Sequence, residues 1–249
     1  MFILYYNNIM NILSICGGGV RGLMPLEILK TIETKYGKNI CNVFDYYAGS
    51  SIGALIIAGL LISDDGKNPK YTCDELYKLI EELCKKVFSN TLYHRMTTAY
   101  GWLGAKYSVE YFEEILKKFF GDRKMLELLK PVCFPSFDDV NHKPIYFTKD
   151  KYGDVLIRDV IRAVTAAPTF FDPKEIEING IKLLCCDTCE INGKYKLHDS
   201  GLVVNNPCLI GQLYATSEMK IIDKTNMFHL CLGTGFSKTQ KPTNGGVWG

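Results

Sequence analysis

Apolar and polar positions along this chain switch between two periods, and the switches outline its architecture. NILSIC (11–16) is a short, largely apolar, β-favouring run that ends in glycines, which predicts a buried strand. LMPLEILKTIETKYG (23–37) then sets apolar residues at helical spacing and stops at Gly37, the pattern of an amphipathic helix. FDYYAG (44–49) predicts a second strand that enters a tight turn over Gly49–Gly53, and the apolar run that follows, to Ile62, predicts a buried helix. DDGKNPK (64–70) reads as a surface turn. TCDELYKLIEELCKKVF (72–88) is a clear amphipathic helix with Thr72 as its candidate N-cap. SVEYFEEILKKFFG (108–121) is another, ending at a glycine. PVCFPSFD (131–138) and KPIYFTKD (143–150) predict two paired strands, and VLIRDVIRAVTAA (155–167) a helix stopped by Pro168. IKLLCCD (181–187) and KYKLHD (194–199) read as strands, a helix begins near Pro207, and MFHLCLGTG (227–235) is a last strand.

Strands thus alternate with helices over the whole length, with no repeat, no low-complexity tract and no linker. The expectation is a single α/β domain over residues 11–249 with helices on both faces of a sheet, preceded by a dispensable extension over residues 1–10. The tail TNGGVWG has no capping element after it, so the domain reads as shortened at its C-terminus. The segment 89–107 has no clean periodicity but carries Tyr93, Tyr100, Trp102, Leu103 and Tyr107. It reads either as a lid or membrane-facing lip or as the ordinary packing of a long connection.

Composition narrows the function classes. A hydrophobic fraction of 47% and a charged fraction of 22% are those of an ordinary globular chain with a sizeable core. The net charge of +2, without Lys/Arg runs interleaved with aromatics, argues against nucleic-acid binding. Ten scattered cysteines without a secretory signal read as reduced thiols, so a cytoplasmic location with peripheral membrane contact is expected. The longest apolar run, residues 52–62, is far short of the ~20 residues of a spanning helix. Cys186-x-x-Cys189 is half of a zinc site with no second pair at suitable spacing, so no metal is expected.

Two glycine-rich turns carry the candidate chemistry. GSSIG (49–53) is G-x-S-x-G between a predicted strand and an apolar helix, which is the setting of a nucleophile elbow. Gly49 and Gly53 permit the sharp turn, and the helix N-terminus behind Ser51 presents a positive dipole end where an oxyanion would form. CGGGVRG (16–22) spells G-x-G-x-x-G through Gly17, Gly19 and Gly22. A dinucleotide-binding loop would be followed by a strand ending in an acid about 20 residues on. A serine elbow follows instead, with Ser51 placed 32 residues after Gly19, so the oxyanion reading is favoured. Consecutive glycines expose backbone N–H groups to developing negative charge, and Arg21 adds a cation able to meet a phosphate. None of the four histidines is placed to serve Ser51; His229 lies inside a predicted strand. Asp199, at a strand end in HDSGLVVNNP, is the alternative base. Its ordinary pKa near 3.9 makes it weak unless it is desolvated and within hydrogen-bond reach of the serine.

Together GGGVRG, GSSIGAL, AVTAAPTFF (163–171), HDSGLVVNNP and HLCLGTG occur in the order of the patatin-like phospholipase family, and the resemblance spans residues 11–235. It implies a three-layer α/β/α sandwich with a mostly parallel central sheet. It also implies lipid acyl-ester hydrolysis by a Ser–Asp dyad with no metal or cofactor. Carried over, Ser51 is the nucleophile, Asp199 its base, and the amides of Gly17, Gly18 and Gly19, with Arg21 and Gly22, form the oxyanion hole. The implied partners are a lipid substrate and a transiently touched membrane surface. Two residues depart from the family pattern: Cys16 stands where an acidic residue usually precedes the glycines, and Ser200 where a glycine usually follows the aspartate. If that turn needs φ > 0, Ser200 is strained by ~1–2 kcal/mol. The competing reading is a catalytically weak lipid-binding protein of the same fold. A nucleotide-dependent oxidoreductase rests on the glycine pattern alone.

Overall fold

The computed structural model describes residues 9–89, 109–168, 170–183, 186–220 and 226–235. The aromatic stretch, His94 and the side chains of the CxxC pair lie outside them.

The first strand, β1 (Met10–Ile15), takes in Met10. It is followed by a short 3-10 turn and helix α1 (Leu23–Tyr36), which ends on Gly37 at φ 62°. Then come β2 (Tyr46–Gly49), α2 (Ile52–Leu61) and α3 (Cys73–Ser89). Thr72 caps α3: its hydroxyl accepts the Glu75 N–H at 3.3 Å while the Glu75 carboxylate accepts the Thr72 N–H at 2.9 Å. Helix α4 (Val109–Phe120) and the hairpin β3 (Val132–Asp138) and β4 (Lys143–Thr148) match the hydrophobic pattern within a residue or two. After α5 (Ile157–Val164), a second hairpin is formed by β5 (Lys174–Leu183) and β6 (Cys186–His198), then α6 (Cys208–Glu218) and β7 (Met227–Leu232).

The sheet runs β5-β6-β3-β2-β1-β7, with β4 also on β3. Strands β7, β1, β2 and β3 are parallel to one another and form the expected parallel centre. Both hairpins attach antiparallel, so the sheet is mixed. Phe137 and Cys133 each have two strand partners, which puts β4 on one edge of β3 and β2 and β6 together on the other.

Alternation along the strands divides the core in two. Leu13, Ile15, Tyr47, Val132 and Phe134 face the large cluster built with α1 to α5. Met10, Ile12, Tyr46, Ala48 and Cys133 face α6 through Ala215. Successive strand side chains point to opposite faces, so helices cover both and the sandwich has three layers. Helix α2, all ten residues buried, is the centre of the larger layer.

Two segments differ from the periodicity. α5 ends at Val164 rather than at Pro168: the Thr165 hydroxyl donates back to the Ile161 carbonyl at 2.7 Å, and the chain leaves the helix. IKLLCCD holds the end of one strand and the start of the next, because Leu183 pairs with Cys186 across the hairpin.

Candidate active site

The β2–α2 turn sets Ser51 at φ 53°, ψ −122°, a conformation that costs a non-glycine residue roughly 1–3 kcal/mol. Close packing holds it there. A Cβ at Gly53 would lie 2.3 Å from the Ile15 carbonyl oxygen, and one at Gly49 would lie 2.6 Å from the Ala54 backbone. Only glycines let the N-terminus of α2 press this tightly onto the ends of β1 and β2. The Ser50 N–H donates to the same Ile15 carbonyl at 3.1 Å.

Asp199 arrives from the other side, at the end of β6. Its N–H donates to the Ala166 carbonyl at 3.0 Å, and Ser136 Oγ donates to the neighbouring His198 carbonyl at 2.7 Å. Ser51 Oγ donates to Asp199 Oδ2 at 2.6 Å, and the Gly201 N–H donates to Oδ1 at 2.6 Å. Asp199 as a whole is 5% exposed. Burial pushes its pKa up to about 6, against the opposing pull of the Ser51 hydroxyl and the Gly201 N–H. Desolvation thus makes this aspartate a better base than the sequence alone grants it.

Ser200 is not strained. Among the described residues only Ser51, His142 and Lys220 are non-glycines at positive φ, and Ser200 opens a 3-10 turn over Ser200–Leu202. Its fully buried hydroxyl accepts the Ser51 N–H at 2.9 Å and lies 2.7 Å from Ser50 Oγ. The turn does not need the positive φ under which Ser200 would be strained, and its hydroxyl ties the Asp199 turn to the Ser51 turn.

The glycine loop divides into anchors and open donors. The Gly17 N–H, grouped above with the oxyanion donors, is already used: it donates to the Asn205 carbonyl at 3.1 Å. The Gly17 carbonyl accepts Thr234 Oγ1 at 2.7 Å. Gly22 is buried against Ile52, too close for a side chain, and serves packing. That leaves Gly18 and Gly19, which line the same cavity as Ser51 and Asp199; their N–H groups have no acceptor among the described residues. Gly19 is at φ 56°. Arg21 also lines the cavity; its guanidinium donates to the Gly235 carbonyl at 3.2 Å. Asn205, Thr234 and Ser50 are the residues that sequence reasoning left without a role. The signal available was their place inside HDSGLVVNNP, HLCLGTG and GSSIGAL.

From Ser51 a cavity of about 600 Å³ extends between α3, α4 and the segment after α5. Leu55, Leu83, Val87, Phe112, Phe170 and Phe171 supply most of its wall, and Arg21, Ser51, Thr165 and Asp199 its polar points. None of the described histidines reaches Ser51. His229 Nε2 is 2.7 Å from Ser14 Oγ on the α6 face, and His198 Nε2 is 3.8 Å from Asp139. Among the described residues, no group of His, Cys, Asp and Glu side chains is arranged to hold a metal ion.

The patatin-like phospholipase profile matches residues 13–210. Patatin-like protein 2 of Oryza sativa subsp. indica is 31% identical over 230 residues, covering 86% of this chain and 54% of its own. Patatin-like protein 2 of Arabidopsis thaliana is 28% identical over 268 residues, covering 96% of this chain and 63% of its own. The chain therefore spans little more than half to just under two thirds of these relatives. Among solved structures, VipD from Legionella pneumophila aligns with a TM-score of 0.44 and 14% identity, over 89% of this chain and 49% of that one. With the profile running from β1 into α6, and a relative above 30% identity over most of the chain, this protein belongs to the patatin-like phospholipase family.

Proposed function

We propose that this chain is a lipid acyl hydrolase that cleaves carboxylic esters of phospholipids or related acyl lipids through Ser51 and Asp199. The observation that carries the reading is the 2.6 Å hydrogen bond from a positive-φ serine to a desolvated carboxylate, at the polar end of an apolar cavity. Ser51 Oγ attacks the ester carbonyl carbon as its proton passes to Asp199. The tetrahedral oxyanion takes hydrogen bonds from the Gly18 and Gly19 N–H groups, close to the positive end of α2. Protonated Asp199 then gives its proton to the departing alkoxide, which leaves an acyl-Ser51 ester. Water, deprotonated by Asp199, attacks that ester, and the serine leaves with the proton. The apolar wall takes the acyl chain and excludes water from it. Neither a metal nor a cofactor enters the scheme. Contact with the membrane is transient and peripheral; among the described residues no helix is long and apolar enough to cross a membrane.

The test is hydrolysis of a short-chain p-nitrophenyl ester and of a fluorogenic phospholipid by the wild type and Ser51→Ala. Turnover of both by the wild type and of neither by a folded Ser51→Ala protein is the expected result. Equal turnover by the two proteins overturns the assignment. Lipid binding without turnover would instead support a weak lipid-binding protein.

A further inference from the structure

The turn before α1 and α1 itself expose three apolar residues, Val20, Met24 and Ile28, at 47%, 54% and 47%. Met24 and Ile28, four apart on α1, share one face of the helix, and Val20 stands in the 3-10 turn that leads into it, so the three form an exposed apolar stripe. Val20 also lines the cavity that holds Ser51, so the stripe begins at the candidate active site and runs outward from it. Phe170, another residue of the cavity wall, is 39% exposed. Beside Val20 stands Arg21, exposed and with no carboxylate within ion-pairing distance among the described residues.

We infer that this stripe is the surface by which the protein docks on an anionic phospholipid bilayer, with Met24 and Ile28 entering the interface and Arg21 meeting a headgroup phosphate. The inference rests on the acyl hydrolase reading above. An apolar stripe continuous with an acyl-chain cavity lets a lipid leave the bilayer without crossing water. A cation at its edge supplies complementarity to anionic headgroups. A second exposed apolar pair, Leu209 and Leu213 on α6 at 65% and 51%, lies in the layer across the sheet and provides an internal control.

The experiment is co-sedimentation of the full chain with phosphatidylcholine vesicles with and without phosphatidylglycerol. It uses wild type, Met24→Glu/Ile28→Glu and Leu209→Glu/Leu213→Glu, with light scattering of each protein alone. Neither Met24 nor Ile28 lines the cavity, so both paired variants should hydrolyse the soluble ester within about twofold of wild type. The expected result is wild-type binding that is stronger to phosphatidylglycerol vesicles and weakens with salt. Met24→Glu/Ile28→Glu should lose roughly tenfold or more in binding and in vesicle hydrolysis, while Leu209→Glu/Leu213→Glu keeps both. The inference is overturned if wild type ignores vesicles, if Met24→Glu/Ile28→Glu binds as wild type, or if the α6 pair is the one that matters. It is equally overturned if the stripe proves to hold two copies together and the variant only dissociates them. A wild type that binds vesicles through the stripe but leaves the soluble ester intact would defeat the acyl hydrolase reading and leave the docking surface standing.

Discussion

Ser51 and Ser14 are each hydrogen-bonded to a titratable side chain from a distant part of the chain, and their surroundings differ. Ser51 reaches Asp199 at 2.6 Å; Ser14 reaches His229 at 2.7 Å. By pairing alone, Ser14 with a histidine is the more familiar nucleophile. Yet Ser14 lies within β1, fully buried, in register with Ala48 and Cys231. Helix α6 closes over it so tightly that a Cβ on Gly211 would come 3.0 Å from Ser14 Oγ. Ser51 stands at a positive-φ turn, at a helix N-terminus, and opens on a cavity of about 600 Å³. On the proposed reading, the difference teaches that a base within reach does not make a nucleophile; access for an ester carbonyl and donors for the oxyanion decide it.

The strongest way to break that comparison is to remove each hydroxyl. Ser51→Ala should lower kcat on a soluble ester by about 10⁴-fold or more, and Ser14→Ala by less than about threefold, with circular dichroism confirming both folds. Equal losses would erase the distinction. Next come the partners. Asp199→Asn should cost about 10³-fold or more in kcat/KM, whereas His229→Asn should stay within a few fold.

The pH profile sharpens the same contrast. In the proposed mechanism Asp199 must be ionised, so kcat/KM should fall about tenfold per pH unit below an inflection near its value of about 6. Burial lowers the pKa of His229, and His229→Asn should leave the inflection in place. An inflection that vanishes in that variant would transfer the titration to the wrong pair.

A smaller effect is expected at Ser200. Ser200→Ala leaves the Ser51 N–H without its acceptor and Ser50 without its partner. The expected outcome is a fall of about tenfold in kcat with KM nearly unchanged, and roughly 1–2 kcal/mol less stability on urea denaturation. A return of activity in Ser200→Thr would assign the loss to the hydroxyl.

The last expected effect is on stability alone and runs in the opposite direction. A carboxyl whose folded pKa stands near 6, above its unfolded value of 3.8, holds its proton more firmly in the folded state. Between those values stability therefore declines as pH rises, and the penalty is complete at pH 7. Asp199→Asn should be more stable than wild type at pH 7, by on the order of 1–3 kcal/mol, with the gap closing toward pH 4. A variant less stable than wild type at pH 7 would show that the carboxylate supports the fold rather than straining it.

Much of the fold was legible because its signals are local. The run from β1 through α1 to the glycine-flanked elbow reads correctly since strand period, helix period and turn chemistry are each contained in a dozen residues. β5 was legible only in part. The alternation of charged and apolar residues in KEIEI (174–178) marks the two faces of a strand, but the strand is made by its antiparallel pairing with β6, the next strand of the hairpin. The end of α5 was misplaced because Pro168 is a visible stop, whereas the actual exit at Thr165 frees the Ala166 carbonyl to hold the Asp199 N–H.

The site divides in the same way. The sequence by itself determined which residue types stand at the elbow, at the glycine loop and at the end of β6, because the backbone at each point tolerates few alternatives. Glycine alone fits at position 53 against the Ile15 carbonyl, for example. Only the tertiary structure decided which loop amides remain free, that Asp199 is desolvated, and that Ser200 staples rather than strains. These are properties of the partners each group meets. Asn205 and Thr234 take up Gly17 from positions nearly 200 residues or more away in the chain. Burial of Asp199 is set by elements that pack around it, and no local pattern encodes either.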